Sequence, residues 1–186
     1  MDKTKSKQKI VRSVAALGGA LLAAASAQGQ PLASASSPDG GVKVEISLDG
    51  DGRAAYAVTR NGKAILAPSK LGFLLTDAVK IDRRLSVTGQ EVRDFDESWT
   101  QPWGEWKTIR NRYRELKVHF KETTAVARVF TVTFRLYEDG VGFRYEFPEQ
   151  SNLAQTNIAD ELTEFVFASD GRSEERRVGK ECTIQC

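Results

Sequence analysis

Between residues 42 and 168 apolar side chains recur at every second position, and no stretch carries them at the three-and-four spacing of a helix face. Successive side chains of an extended strand point to opposite faces, so the pattern admits half-buried strands and excludes helix bundles. Val42, Val44, Ile46 and Leu48 alternate with polar partners, and Asp49-Gly50-Asp51-Gly52 then supplies a turn. Arg53–Arg60 continues as a second strand, Asn61-Gly62 is a strong hairpin signal, and Ala64–Leu66 returns. Leu71–Leu75 is a short buried run, and Leu85–Val92 alternates weakly. Arg114–Phe120 sets Leu116, Val118 and Phe120 on one face, with Lys117, His119 and Lys121 on the other. Phe130, Val132, Phe134 and Leu136 alternate, Glu138-Asp139-Gly140 turns the chain, and Val141, Phe143, Tyr145 and Phe147 alternate again. Leu162–Ala168 opens one more strand. About eight to ten short strands with turns about every 8–12 residues predict an all-β fold, an antiparallel β-sandwich. No return strand follows Ala168, so the sandwich is expected to be incomplete at its C-terminus.

The two ends read differently from this body. Residues 1–27 carry Lys3, Lys5, Lys7, Lys9 and Arg12, then the apolar run Val14–Ala25, then Ala25-Ser26-Ala27. A basic start, a short apolar stretch and an A-x-A site predict a secretory signal peptide cleaved after Ala27, and hence an exported protein, periplasmic or extracellular. Residues 28–41 are small and polar and read as a flexible leader, with an alternative cleavage site at Ala33-Ser34-Ala35. From Arg172 the chain runs RSEERRVGKEC and TIQC. The first of these reads as the in-frame translation of a common short-read sequencing adapter, so 172–186 is expected to be read-through of library DNA. The competing reading is a basic, solvated tail. The protein proper is then residues 42–171, a truncated domain.

The overall balance of 27 basic to 25 acidic residues misleads, because the ends hold the excess. Residues 1–27 contribute five basic and one acidic residue, and 172–186 four and three, leaving 18 and 21 for the body and a net charge of −3. That removes the main support for nucleic-acid binding through a basic patch. No run of about 18 apolar residues is present, so no membrane-spanning helix is expected. Both cysteines lie in the tail, so an exported domain must stand on core packing alone.

The densest chemical feature is Asp94-Phe95-Asp96-Glu97-Ser98-Trp99-Thr100-Gln101-Pro102-Trp103-Gly104-Glu105-Trp106, which holds all three tryptophans within eight residues. Indole faces stack on the C–H faces of sugar rings and carboxylates accept hydroxyl protons, so this mixture suits a carbohydrate site. The competing reading is that the rings plug the end of the sandwich. Asp96 with Glu97, and Asp160-Glu161 with Glu164, offer carboxylates for acid–base work on a glycosidic bond. Adjacent strand positions face apart, however, and solvated loop carboxylates are the better reading. Asp49-Gly50-Asp51-Gly52 lacks the later acidic ligand of a calcium loop and reads as a turn. His119, the only histidine, sits between Lys117 and Lys121 on the face away from the core. Arg110-Asn111-Arg112-Tyr113-Arg114 is expected to pair with the acidic run 94–105 rather than with a polyanion.

SPDGGVKVEISLDGDGRAAYAVTRNGKAIL, SKLGFLL, FDESWTQPWGEWKTIRNRYREL, YEDGVGFRYEFPEQ and IADELTEFVF, in this order from about Ser37 to Ala168, resemble the N-terminal domain of glycoside hydrolase family 97. Trp99–Glu105 with Arg110-Asn111, and Asp139–Pro148, are the specific segments. The resemblance implies a sandwich of the galactose-mutarotase-like supersandwich type, joined to a (β/α)₈ barrel in a bacterial exported enzyme of the α-glucosidase or α-galactosidase type. It implies a calcium ion near the catalytic carboxylates of the barrel. None of the barrel is encoded here, so no catalytic residue and no metal ligand is assigned to this chain, which alone is expected to be inactive. The implied partners are that barrel and an oligosaccharide with α-linked glucose or galactose. Trp99, Trp103, Glu105 and Trp106 are the candidates for the contact with barrel or substrate, with Trp103, Glu105 and Trp106 expected to face the barrel mouth. The alternative is a stand-alone secreted carbohydrate-binding or structural module.

Overall fold

Alternation at period two becomes, in the computed structural model, ten strands among the described residues. The structure describes residues 31–169 apart from 77, 154 and 156, so the segment 1–27 read as a signal peptide and the tail 172–186 lie outside the described residues. The strands are β1 (Ala33–Ser36), β2 (Val42–Leu48), β3 (Ala54–Arg60), β4 (Lys63–Lys70), β5 (Phe73–Leu75), β6 (Leu85–Thr100), β7 (Thr108–Glu122), β8 (Val129–Leu136), β9 (Val141–Glu146) and β10 (Ile158–Glu161). One four-stranded sheet runs β1-β2-β3-β4, a second runs β6-β7-β8-β9, and β10 pairs with β5, all antiparallel. The expected all-β sandwich is the fold found.

The inward residues of the two sheets make the core. β1 packs on β7 and β2 on β8, while the Tyr56 ring of β3 lies 6.0 Å from Phe134 of β8 and 5.2 Å from Phe143 of β9. Val44, Ile46, Leu116, Val118 and Val132 are fully buried between them, each worth roughly 1.5–3 kcal/mol of transfer free energy. Asn61 (φ 50°) and Gly62 (φ 77°) both take the left-handed backbone that a two-residue hairpin turn requires. Asp49 Oδ1 accepts the amides of Asp51 and Arg53, both at 2.9 Å, which spends that side chain on a turn.

Three elements differ from the sequence reading. Residues 33–36 are not leader but β1, with buried Ala33 opposite Ile46 and Ala35 opposite Val44. The Ala-Ser repeat does alternate, but its apolar member is so small that the pattern resembles a linker, and packing against β7 supplies what local propensity lacks. The alternative cleavage site lies inside this strand. Second, the strands read as Leu85–Val92 and Arg114–Phe120 are far longer and pair with each other as one hairpin, whose extension carries the candidate site. Third, the last strand divides. β10 pairs with β5, and residues 162–168 then lie along β4 through Leu162 N–H to Gly72 C=O, Glu164 N–H to Lys70 C=O and Ala168 N–H to Ile65 C=O. Next to Pro68, Ser69 Oγ accepts the Val166 amide at 3.0 Å.

Candidate functional site

β7 pairs with β8 only from Arg114 onward, opposite Leu136. Beyond that row β6 and β7 continue together from Asp94↔Arg114 to Thr100↔Thr108 as a two-stranded ribbon, projecting about 20 Å from the sandwich at the strand rise per residue. Its register sorts side chains onto two faces. Asp94, Asp96 and Ser98 share one with Arg110, Arg112 and Arg114; Phe95, Glu97 and Trp99 share the other with Ile109, Asn111 and Tyr113.

The first face is an ion-pair ladder. Arg114 grips Asp94 through Nε (2.5 Å) and Nη2 (3.0 Å), and Arg110 grips Asp96 through Nε (2.8 Å) and Nη2 (2.6 Å). Arg112 stands 3.9 Å from Asp96 and donates at 3.4 Å to Glu138 in the β8–β9 turn. Hydrogen bonds from Arg114 and Arg110 hold the Asp94 and Asp96 carboxyls below their ordinary value of 3.8. The basic run thus meets its own acidic neighbours, as its composition suggested. The second face is aromatic at its root, where Phe95 stacks on Tyr113 at 4.8 Å and 14°. The Arg135 guanidinium lies 4.8 Å from the centre of the Tyr113 ring, and Tyr137 packs beside it at 5.3 Å. Farther out, Asn111 Nδ2 donates to Glu97 Oε1 at 2.7 Å.

The tip, residues 101–107, joins the strands. Gln101 N–H donates to the Lys107 carbonyl and its Nε2 to the Trp106 carbonyl, both at 3.1 Å. Gly104 takes φ 129°, and a Cβ there would stand 3.1 Å from Gln101 Nε2, so glycine suits the position on both counts. Trp99 lies in β6 opposite Ile109, whereas Trp103, Glu105 and Trp106 sit on the tip. The indoles are 47%, 84% and 70% exposed in chain order. None makes a ring contact, and Glu105 takes no hydrogen bond or ion pair among the described residues. The rings therefore do not plug the sandwich; they stand at the end of an arm. Of the segment Trp99–Glu105, only Trp99 and Thr100 belong to strand β6.

The other singled-out groups are engaged elsewhere. Asp96 and Glu97 face opposite sides of the ribbon and cannot work as a pair. Glu161 accepts from Thr163 at 2.6 Å and Glu164 from Lys70 at 3.1 Å. His119 lies on the outer face of β7 as expected, half-buried, with Nδ1 2.8 Å from Thr131 Oγ1 and Nε2 3.4 Å from Glu91. Sequence reasoning missed the ribbon's two-faced order, although the alternation Asp94, Asp96, Ser98 against Arg110, Arg112, Arg114 was there to show it.

Comparison with known proteins follows this geometry. Residues 35–173 match the family described as Glycosyl-hydrolase 97 N-terminal. A retaining alpha-galactosidase of Bacteroides thetaiotaomicron is 29% identical over 150 residues, covering 81% of this chain and 21% of that protein. A probable retaining alpha-galactosidase of Streptomyces bingchenggensis is 27% identical over 131 residues, covering 70% of this chain and 20% of that protein. Among solved structures, a glycoside hydrolase family 97 enzyme of Pseudoalteromonas sp. strain K8, seen with panose and with acarbose, superimposes at a TM-score of 0.70 with 32% identity over 73% of this chain and 20% of its own. A beta-arabinopyranosidase superimposes at 0.65 with 26% identity over 73% of this chain and 21% of that structure. The chain therefore spans about a fifth of the length of these relatives. With its sheets, its order of motifs and most of its length accounted for, the chain belongs to glycoside hydrolase family 97, whose N-terminal domain it represents.

Proposed function

We propose that this chain is the accessory β-sandwich of an exported bacterial α-glycosidase, packing on a catalytic barrel, and that the β6–β7 arm brings Trp103, Glu105 and Trp106 to the edge of the carbohydrate site. The observation that carries the reading is the arm itself: three exposed indoles and an unpaired carboxylate held on a cross-braced ribbon. Exposed aromatic surface of this kind favours a partner, and flat rings beside an acceptor suit the C–H faces and hydroxyls of a sugar. Trp99, lower on the ribbon, fits the barrel contact. Relatives named as α-galactosidases, and one seen with panose and acarbose, support an oligosaccharide with α-linked glucose or galactose as the ligand.

Export follows from the basic and apolar segment 1–27, and a mature form beginning at Gln28 would be found by N-terminal sequencing. By the family resemblance we assign the calcium ion, with the catalytic carboxylates, to the barrel. The test is Trp103→Ala and Trp106→Ala in the full-length enzyme. KM for α-linked oligosaccharides is expected to rise about three- to tenfold, as for loss of a stacking aromatic, with the melting temperature unchanged. Unaltered kinetics at equal folded fraction would remove the site-shaping role.

A further inference from the structure

Far from the tip of the arm, the outer face of the β6–β9 sheet carries a second polar site. Three rows cross that face: Arg93, Glu115, Arg135 and Gly142; Glu91, Lys117, Thr133 and Arg144; Gly89, His119, Thr131 and Glu146. Four cations meet three carboxylates there, in a body whose net charge is −3. The carboxylates are shared. Glu115 accepts from Arg135 Nε at 3.3 Å, with Lys117 3.9 Å away. Glu146 accepts from Arg144 Nε at 2.8 Å and from Thr133 Oγ1 at 3.0 Å, with Lys117 4.0 Å away. The terminal nitrogens of Arg135 and Arg144 make no hydrogen bond among the described residues. Beside these two guanidiniums the sheet has a gap. Gly142 pairs with Arg135, and a Cβ on it would meet nothing within 4 Å. The notch so formed holds about 220 Å³ and is lined by Arg135, Tyr137, Arg144 and the buried Thr133.

We propose that this notch binds the carboxylate of an acidic sugar unit, a hexuronate. The terminal N–H groups of two arginines offer paired donors to a planar carboxylate, and such charge-assisted bonds are about twice as strong as neutral ones. Arg135 is held in place beforehand, by Glu115 at its Nε and by the Tyr113 ring 4.8 Å from its guanidinium carbon. Little ordering entropy is then lost on binding. The volume suits a single sugar ring rather than a longer saccharide, and Tyr137 adds a flat wall with a hydroxyl. The site is distinct from the one proposed at the arm's tip. Arg135 stands opposite Glu115, seven residues along β7 from Thr108, or about 23 Å at the strand rise per residue.

The test is calorimetric titration of the full-length enzyme, and of the 186-residue chain, with D-galacturonate. D-galactose and acetate serve as controls, one lacking the charge and the other the ring. Galacturonate is expected to bind at least about tenfold more tightly than either control, and to weaken as salt is raised. Arg144→Gln and Gly142→Val are each expected to lower its affinity about tenfold. The valine enters open space on a strand, where a β-branched side chain is well tolerated, so this variant stays decisive if the arginine variant fails to fold. Equal affinity for galacturonate and galactose overturns the proposal, and so does equal affinity for galacturonate and acetate. Affinity retained in both variants places the ligand elsewhere and overturns it too. Binding by the 186-residue chain but not by the full-length enzyme gives the notch to an acidic side chain of the rest of that enzyme, and also overturns it. Failure here leaves the arm's role standing, since that role is read from Trp103→Ala on uncharged oligosaccharides; kinetically silent Trp103→Ala likewise leaves the notch untouched.

Discussion

Glu122 and Arg128 face each other across the β7–β8 turn, each side chain 3% exposed, with Nε to Oε2 at 2.6 Å and Nη2 to Oε1 at 2.7 Å. The Arg128 amide adds a third bond at 3.3 Å to the same carboxylate. Removing one partner of such a pair leaves a buried charge uncompensated, so Glu122→Ala is expected to cost about 3–5 kcal/mol, read by urea unfolding. Tyr56 makes a neutral counterpart. Burial pushes its hydroxyl up to about 12 from an ordinary 10.0, and the O–H donates to the Glu164 carbonyl at 2.9 Å. A folded value above the unfolded one means that this stability is whole below pH 10 and drains as pH rises toward 12. Tyr56→Phe is expected to cost about 1 kcal/mol and to speed amide exchange at residues 164–168, which that hydroxyl ties down.

The β6–β7 ribbon shows how an isolated hairpin holds its shape. Two-stranded ribbons are marginal alone in water, and this one has a polar ladder on one face and a stacked aromatic root on the other. Solvent-exposed ion pairs add little to global stability, so Asp96→Asn should leave it almost unchanged. It frees Arg110, however, and the arm should loosen locally, seen as faster tryptophan anisotropy decay. Acid gives an independent check. The Asp94 and Asp96 carboxyls titrate below their ordinary 3.8 because Arg114 and Arg110 bond to the charged form. Their contribution is therefore present above that pH and lost as pH falls through the lowered values. Anisotropy should be flat from neutrality down to about pH 4 and drop only below it; loosening already at pH 6 would show that the ladder does not set the arm's stiffness.

At the scale of the whole molecule, two exposed apolar regions stand apart: the tryptophan arm and the flank around Phe165 and Phe167. Monomeric soluble domains seldom leave such surface bare, and an unpaired edge invites association. Expressed by itself, the 186-residue chain is expected to self-associate with rising concentration in sedimentation velocity. Aspartate at Phe167 should reduce that association more than alanine at Trp103, because the flank offers hydrogen-bonding edge as well as apolar area. A monomeric, cooperatively unfolding chain at every concentration would show instead that the sandwich tolerates its open side.

Strand identity was legible in the sequence wherever large apolar residues alternate. β2 spans Val42–Leu48 as read, and β8 and β9 match to within a residue, because period two sets which face each side chain takes. The Asn61-Gly62 turn was legible for the same local reason, since few residues accept positive φ. β1 was not: Ala33 and Ala35 carry too little apolar surface to announce a strand, and only their place against β7 buries them. The aromatic and acidic content of the candidate site could be read directly, and so could its charge pairing. That Trp99, Trp103 and Trp106 stand outward on an arm rather than plugging the sandwich could not. Exposure depends on where β8 stops pairing with β7, a property of sheet length and register that belongs to neighbouring strands. Sequence by itself determined local conformation and chemistry; tertiary structure decided which apolar groups are core and which are surface, because burial is a relation between distant segments.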